Sequence, residues 1–84
     1  MSDFQAAVDK TKTFIKRPDN SELLKLYALF KQATDGDVSG DRPGGFDFKA
    51  IAKFDAWTEE KGKSKEQAAT EYIAFVNKLA ESYQ

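Results

Sequence analysis

The sequence predicts an all-α protein, a four-helix bundle with one long crossover loop between its second and third helices. Apolar residues recur at steps of three and four in four separate stretches, and no stretch alternates as a strand does. Residues that start and stop helices bracket those stretches. At 84 residues the chain has room for one hydrophobic core, so residues 1–84 are read as a single domain.

In the first stretch Phe4, Ala7, Val8, Thr11, Phe14 and Ile15 share a face, and Ser2 with Gln5 has the spacing of a capping box. The helix must end before Pro18, which disfavours helical backbone at Arg17. The second opens after Pro18 with Asp19 and Glu22 as a capping pair and runs through Leu23, Leu24, Leu26, Tyr27, Leu29, Phe30 and Ala33. Its apolar arc is wide: at ~100° per residue Leu26, Leu29, Phe30 and Ala33 point one way, while Leu24, Tyr27, Ala28 and Lys31 form a second flank. The third follows Pro43, Gly44 and Gly45, takes Asp47 as N-cap, and continues to Lys61 before Gly62 offers a left-handed stop. Its core stripe is expected to be Ala50, Ile51, Phe54 and Trp57. The fourth is capped by Ser64 with Gln67 three residues on, and carries Ala68, Ala69, Tyr72, Ile73, Phe75, Val76, Leu79, Ala80 and Tyr83 to the carboxyl terminus. Lys16–Pro18 and Gly62–Lys63 are short connections. Thr34–Phe46 is long and holds four of the five glycines, which makes it the crossover.

Composition excludes whole classes of function. Without cysteine there is no disulfide, thiolate metal site or cysteine nucleophile. Without histidine the commonest general base near neutral pH and the commonest transition-metal ligand are missing. Thirteen basic residues against fourteen acidic ones are too balanced for a face that neutralises phosphates along a nucleic acid. No apolar run approaches the roughly 20 residues that span a bilayer, so stable membrane insertion is not expected. Met1 through Lys12 carry acids and no apolar signal core, which points to a cytoplasmic protein.

Two constellations stand out. In the crossover, Asp35, Asp37, Ser39, Gly40 and Asp41 imitate the early ligands of an EF-hand calcium loop, but Phe46 stands where the bidentate glutamate is required and Arg42 and Pro43 intervene. A turn-rich loop with solvated acids is the reading kept, and no metal is expected. The second is cationic and aromatic: Tyr27 and Lys31 share a helix face, as do Lys49 and Lys53, and the ammonium groups border apolar surface at Leu24, Ala52, Phe54 and Ala56. Such a border suits a ligand with one anionic and one apolar end. Tyr72, Tyr83 and Trp57 are core aromatics by default. Glu59 and Glu60 are adjacent on a helix and point apart, so no acid–base pair forms and no enzyme mechanism assembles.

The run Leu26-Tyr27-Ala28-Leu29-Phe30-Lys31-Gln32-Ala33-Thr34, with Gly36-Asp37, Arg42-Pro43-Gly44, Asp47-Phe48-Lys49 and Ala52-Lys53-Phe54-Asp55-Ala56-Trp57, closely resembles the acyl-coenzyme A-binding protein family. The pattern continues through Gly62, Ser64-Lys65-Glu66, Ala68 and Tyr72-Ile73, across nearly the whole chain. The resemblance implies an antiparallel four-helix bundle, monomeric, that binds and carries long-chain acyl-CoA thioesters without catalysis, cofactor or metal. It places Tyr27, Lys31, Lys53 and Tyr72 at the ribose 3′-phosphate and adenine end, with Lys12, Lys49, Ala28, Leu29 and Phe30 as further ligand positions. The acyl tail is expected near Val8, Leu24 and Ala28, where the first two helices could part. Departures from the family pattern are Phe30 for a common tyrosine, Ile51 for a lysine, Phe54 for a tryptophan and Gly45 for a larger residue. A small helical protein-interaction module with solvated lysines is the alternative reading of the same residues.

Overall fold

The computed structural model describes residues 2–84, and their side chains from Asp3 onward, so the expected Ser2–Gln5 cap lies outside the described residues. Four helices, Ser2–Thr11 (α1), Asn20–Asp35 (α2), Phe48–Glu59 (α3) and Lys65–Tyr83 (α4), account for the regular structure, and no strand occurs among the described residues. The other three expected caps form. Asp19 accepts from the Glu22 amide while the Glu22 carboxylate accepts from the Asp19 amide, at 2.9 and 3.0 Å. Asp47 accepts from Ala50 N at 3.1 Å and Ser64 from Gln67 N at 3.0 Å. Each satisfies an amide that the first turn leaves without a carbonyl.

Packing is sequential: α1 lies on α4, α4 on α2, and α2 on α3. Paired residues give the directions. Phe4 meets Tyr72 and Lys10 meets Asn77, so α1 runs with α4. Tyr83 reaches Glu22 while Gln32 reaches the carbonyl of Lys63, so α2 runs against α4. Lys53 lies over Tyr27 and Lys31 over Trp57, so α3 runs with α2. The antiparallel relation belongs to the central α2–α4 pair. This explains the loops: the short connectors join helices of opposite sense, and the long one returns the chain so that α3 can lie parallel to α2.

The core is built by Phe4 and Ala7 of α1, Leu26, Leu29 and Ala33 of α2, and Ala68, Ala69, Tyr72, Val76 and Leu79 of α4. α3 contributes nothing to that cluster. Of its expected stripe only Trp57 is buried; Ala50, Ile51 and Phe54 are half-buried. The residues that meet α2 are instead Lys49, Ala52, Lys53, Ala56 and Trp57, also at helical spacing. Small side chains let the two backbones approach, and lysine stems cover apolar surface while their ammonium groups stay wet.

Two helix ends differ from the sequence expectation. α1 stops at Thr11, leaving Phe14 and Ile15 outside it. The Thr11 and Thr13 hydroxyls donate to the carbonyls of Val8 and Lys10 at 2.7 Å, and the Ile15 amide donates to Tyr83 O at 2.7 Å instead of to its own helix. Gln84 adds a bond to the Thr13 hydroxyl at 2.8 Å. α3 ends at Glu59, two residues early, in tight turns that bond Glu60 N to Trp57 O and Lys61 N to Thr58 O before Gly62 at φ 99°.

Polar pins join the loops to the bundle. The buried Gln32 amide donates to Asp37 and to the Lys63 carbonyl, both at 2.8 Å, and Asp37 also accepts from Gly62 N at 2.9 Å. Trp57 Nε1 donates to Gly36 O at 2.8 Å, and Arg42 forks onto Asp55 at 2.8 and 2.9 Å. The buried Glu60 accepts from Lys25 at 3.0 Å and Lys63 at 2.5 Å, and Lys63 continues to Glu71. Burial pushes the Glu60 carboxyl up, but the Lys63 and Lys25 bonds together outweigh it and hold the group below its ordinary range.

Candidate functional site

Two cavities meet along one side of α2. The first, of about 460 Å³, lies between the end of α1, the connector Lys16–Pro18, α2 and Tyr72. The second, of about 600 Å³, lies between the first halves of α2 and α3 and is lined by Asn20, Leu24, Phe48, Lys49, Ala52 and Lys53. Arg17, Leu23 and Tyr27 line both, so the two form one branched depression. Each volume falls in the range that holds a small organic ligand.

The walls are apolar and the charges are of one sign. Lys16 and Arg17 line the first cavity, Arg17, Lys49 and Lys53 the second, and no acid lines either. An aromatic set floors the first: Phe30 stacks on Phe4 with centroids 5.8 Å apart, and Tyr72 is tilted against both at 6.3 and 5.0 Å. Burial raises the Tyr72 pKa, so its phenol keeps its proton and remains a donor. Lys53 Nζ sits 5.3 Å from the centroid of the Tyr27 ring, a cation–π distance that holds the ammonium over the junction of the cavities. One turn along α2, Lys31 Nζ lies 4.8 Å from the Trp57 ring and pairs with Asp35. The Asp35 hydrogen bond holds the Lys31 ammonium above its ordinary pKa, and Lys31 in turn holds Asp35 low. Both ammonium groups therefore lie on the α2–α3 seam, one of them with an internal carboxylate and the other on a ring face.

The structure gathers some of the residues singled out by sequence and separates others. Tyr27, Phe30, Tyr72, Lys49 and Lys53 line the paired cavities, whereas Lys31, one turn along α2 from Tyr27, lines neither and lies over Trp57. Ala28 is buried against α3, in a smaller recess with Leu24, Ala52 and Ala56. Leu29 is 1% exposed and belongs to the core on the opposite face of α2. Lys12 is exposed, paired at 3.8 Å with Asp9, and lines neither cavity. Of the residues expected around an acyl tail, Leu24 faces the second cavity, whereas Val8, on α1, packs against the core and lines neither cavity. Arg17, Leu23 and Phe48 line the site without having been singled out. The available signal was the pair Arg17-Pro18: a proline fixing the entry to a helix also fixes where the cation before it points.

Comparison with known proteins bears on the family and the fold. The family model described as "Acyl CoA binding protein" matches residues 1–76. The chain is 51% identical over 80 residues to the acyl-CoA-binding protein homolog of Drosophila melanogaster, covering 95% of this chain and 93% of that one. To the acyl-CoA-binding protein of Dictyostelium discoideum it is 46% identical over 83 residues, covering 99% of each. Among solved structures it superposes on acyl-CoA-binding protein 2 of Oryza sativa with a TM-score of 0.90 at 44% identity, covering 95% of this chain and 89% of that one. Shared sequence along almost the full length, on the same arrangement of four helices, places the chain in the acyl-CoA-binding protein family.

Proposed function

We propose that residues 1–84 act as one unit, a cytoplasmic, monomeric carrier that binds long-chain acyl-CoA thioesters and releases them chemically unchanged. The observation that carries this reading is the branched depression itself: apolar and aromatic walls, four lining cations and no lining acid. It matches an anionic nucleotide joined to a long hydrocarbon. The adenine lies on Phe30 and Tyr27 in the first cavity beside the Tyr72 phenol, and the 3′-phosphate meets Lys53, Lys31 and the Tyr27 hydroxyl. Charge-assisted hydrogen bonds of that kind contribute roughly 1.5–3 kcal/mol each. The tail runs past Leu23, Leu24 and Ala52 in the second cavity, where each buried methylene adds about 0.8 kcal/mol. Head and tail are thus held by separate parts of one site, and chain length adjusts affinity independently of the lysines.

Calorimetric titration of the delipidated protein tests this reading. Palmitoyl-CoA should bind tightly and one to one, free CoA much more weakly, and palmitate more weakly still, with the thioester recovered intact by mass spectrometry. Equal affinity for all acyl lengths would refute the tail cavity, and no heat with any acyl-CoA would refute the carrier.

A further inference from the structure

The cavity walls hold groups that can do more than attract charge. A lysine amine is a nucleophile once it has lost its proton, and a thioester is an acyl donor. Three lysines line the branched depression: Lys16 in the first cavity, Lys49 and Lys53 in the second. They are not equivalent. Lys53 is held as an ammonium over the Tyr27 ring, 5.3 Å from its centroid. Lys31, further along the seam, is paired with Asp35. Among the described residues no carboxylate and no ring face engages the amine of Lys49, and the residue is exposed to solvent that can take its proton. Lys16 is exposed too, but it lies at the other end of the depression.

Position singles out the same residue. Lys49 stands one helical turn before Lys53 on α3, and both face the second cavity with Leu24 and Ala52. On the carrier reading, on which this inference rests, the 3′-phosphate lies at Lys53 and the tail against Leu24 and Ala52. The thioester carbonyl joins the two ends and so passes along the wall that carries Lys49. Amine and carbonyl held there react as parts of one complex, at an effective concentration far above that of free reactants. From this we infer that Lys49 is a modification site, acylated by the ligand that the cavity holds. The neutral Nζ adds to the thioester carbonyl. As the adduct collapses an amide bond forms, the C–S bond breaks, and coenzyme A leaves as a thiolate that takes up the proton shed by nitrogen. The transfer is slow beside ligand exchange, so the carrier delivers its cargo intact in most cycles, but it occurs only once per molecule. Afterwards the tail is tethered in the second cavity and Lys49 has lost its charge, which shuts the site to further ligand.

The experiment incubates the protein with palmitoyl-CoA in mildly alkaline buffer, with calorimetry on the same sample, and reads the intact mass and then the modified peptide. One palmitoyl group per chain should appear, on Lys49, and the capacity for fresh palmitoyl-CoA should fall in step with it. An excess of the thioether analogue of palmitoyl-CoA, which has no acyl group to transfer, should abolish the adduct by filling the cavity. Lys49→Arg keeps the charge and removes the nucleophile, so the single-site adduct should disappear. Binding heat without any adduct would overturn the inference and leave the carrier standing. Palmitoylation spread over Lys61 and Lys65, exposed and outside both cavities, and undiminished by the thioether would show reaction from solution and overturn it as well. Absence of binding heat would remove the carrier reading itself, and the inference with it.

Discussion

The two sides of α2 are built on opposite principles. Toward α4, Leu26, Leu29 and Ala33 close against Ala68, Ala69 and Val76 with no solvent between them. Toward α3, Leu24, Tyr27, Ala28 and Lys31 meet alanines and lysine stems and leave open volume. One helix thus carries the dry core on one flank and the recess on the other. Because α3 adds nothing to the core cluster, its place depends on pins in and just after its C-terminal half: Trp57 on Gly36, Glu60 on Lys25 and Lys63, and Arg42 on Asp55. The comparison teaches that stability and binding can be altered nearly independently by choosing the flank.

The strongest way to break that separation is Leu29→Ala. It should destabilise the fold by about 3 kcal/mol in denaturant titration, as a fully buried leucine does when it leaves a cavity. Its folded fraction should bind palmitoyl-CoA normally; a loss of affinity without loss of stability would put Leu29 at the ligand. The converse substitution is Lys53→Ala, which should weaken palmitoyl-CoA and free CoA by on the order of 2 kcal/mol in calorimetry and leave the melting curve in place. Unchanged affinity would remove Lys53 from the site.

The pins of α3 give a smaller effect with a pH signature. Glu60→Gln should cost about 1–2 kcal/mol, since a buried carboxylate loses its charge-assisted bonds to Lys25 and Lys63. The native carboxyl is held below its ordinary value near 4.5, so its stabilisation is complete above that value and is lost as pH falls through the lower folded value. Acid unfolding curves should therefore be shallower in the variant over that interval; parallel curves would assign the acid transition to other carboxylates. Smallest is Asp35→Asn, which frees Lys31 from its internal partner. Palmitoyl-CoA affinity should rise about twofold, the scale of an exposed i, i+4 ion pair. Dephospho-palmitoyl-CoA should show no such gain, and an equal gain with both ligands would mean that Lys31 does not meet the 3′-phosphate.

The helices were legible where chemistry is local. Asp19 with Glu22, Asp47 and Ser64 announce their caps by residue type and spacing alone, and the two flanks of the second helix follow from its period. The end of α1 was not legible, because the Ile15 amide is taken by a carbonyl 68 positions away in sequence. Nor was the inner stripe of α3. Periodicity marks Ile51 and Phe54 as apolar but says nothing of the neighbour, and α2 accepts alanines and lysine stems in preference to bulk. At the site, helix spacing marked Tyr27, Lys31, Lys49 and Lys53 and the resemblance to a family gave them and Tyr72 their expected roles, whereas Arg17 sits in a connector whose path depends on tertiary bonds.

Those bonds have a practical consequence. Phe14 and Ile15 wall the first cavity, yet Tyr83 and Gln84 hold that wall through Ile15, Thr13 and the ring of Phe14, while the Tyr83 hydroxyl grips Glu22 in the cap of α2. The last two residues of the sequence therefore work as a clasp behind the binding recess. Removing Tyr83 and Gln84 would slacken the recess from its back side and register as lost affinity although neither residue lines it.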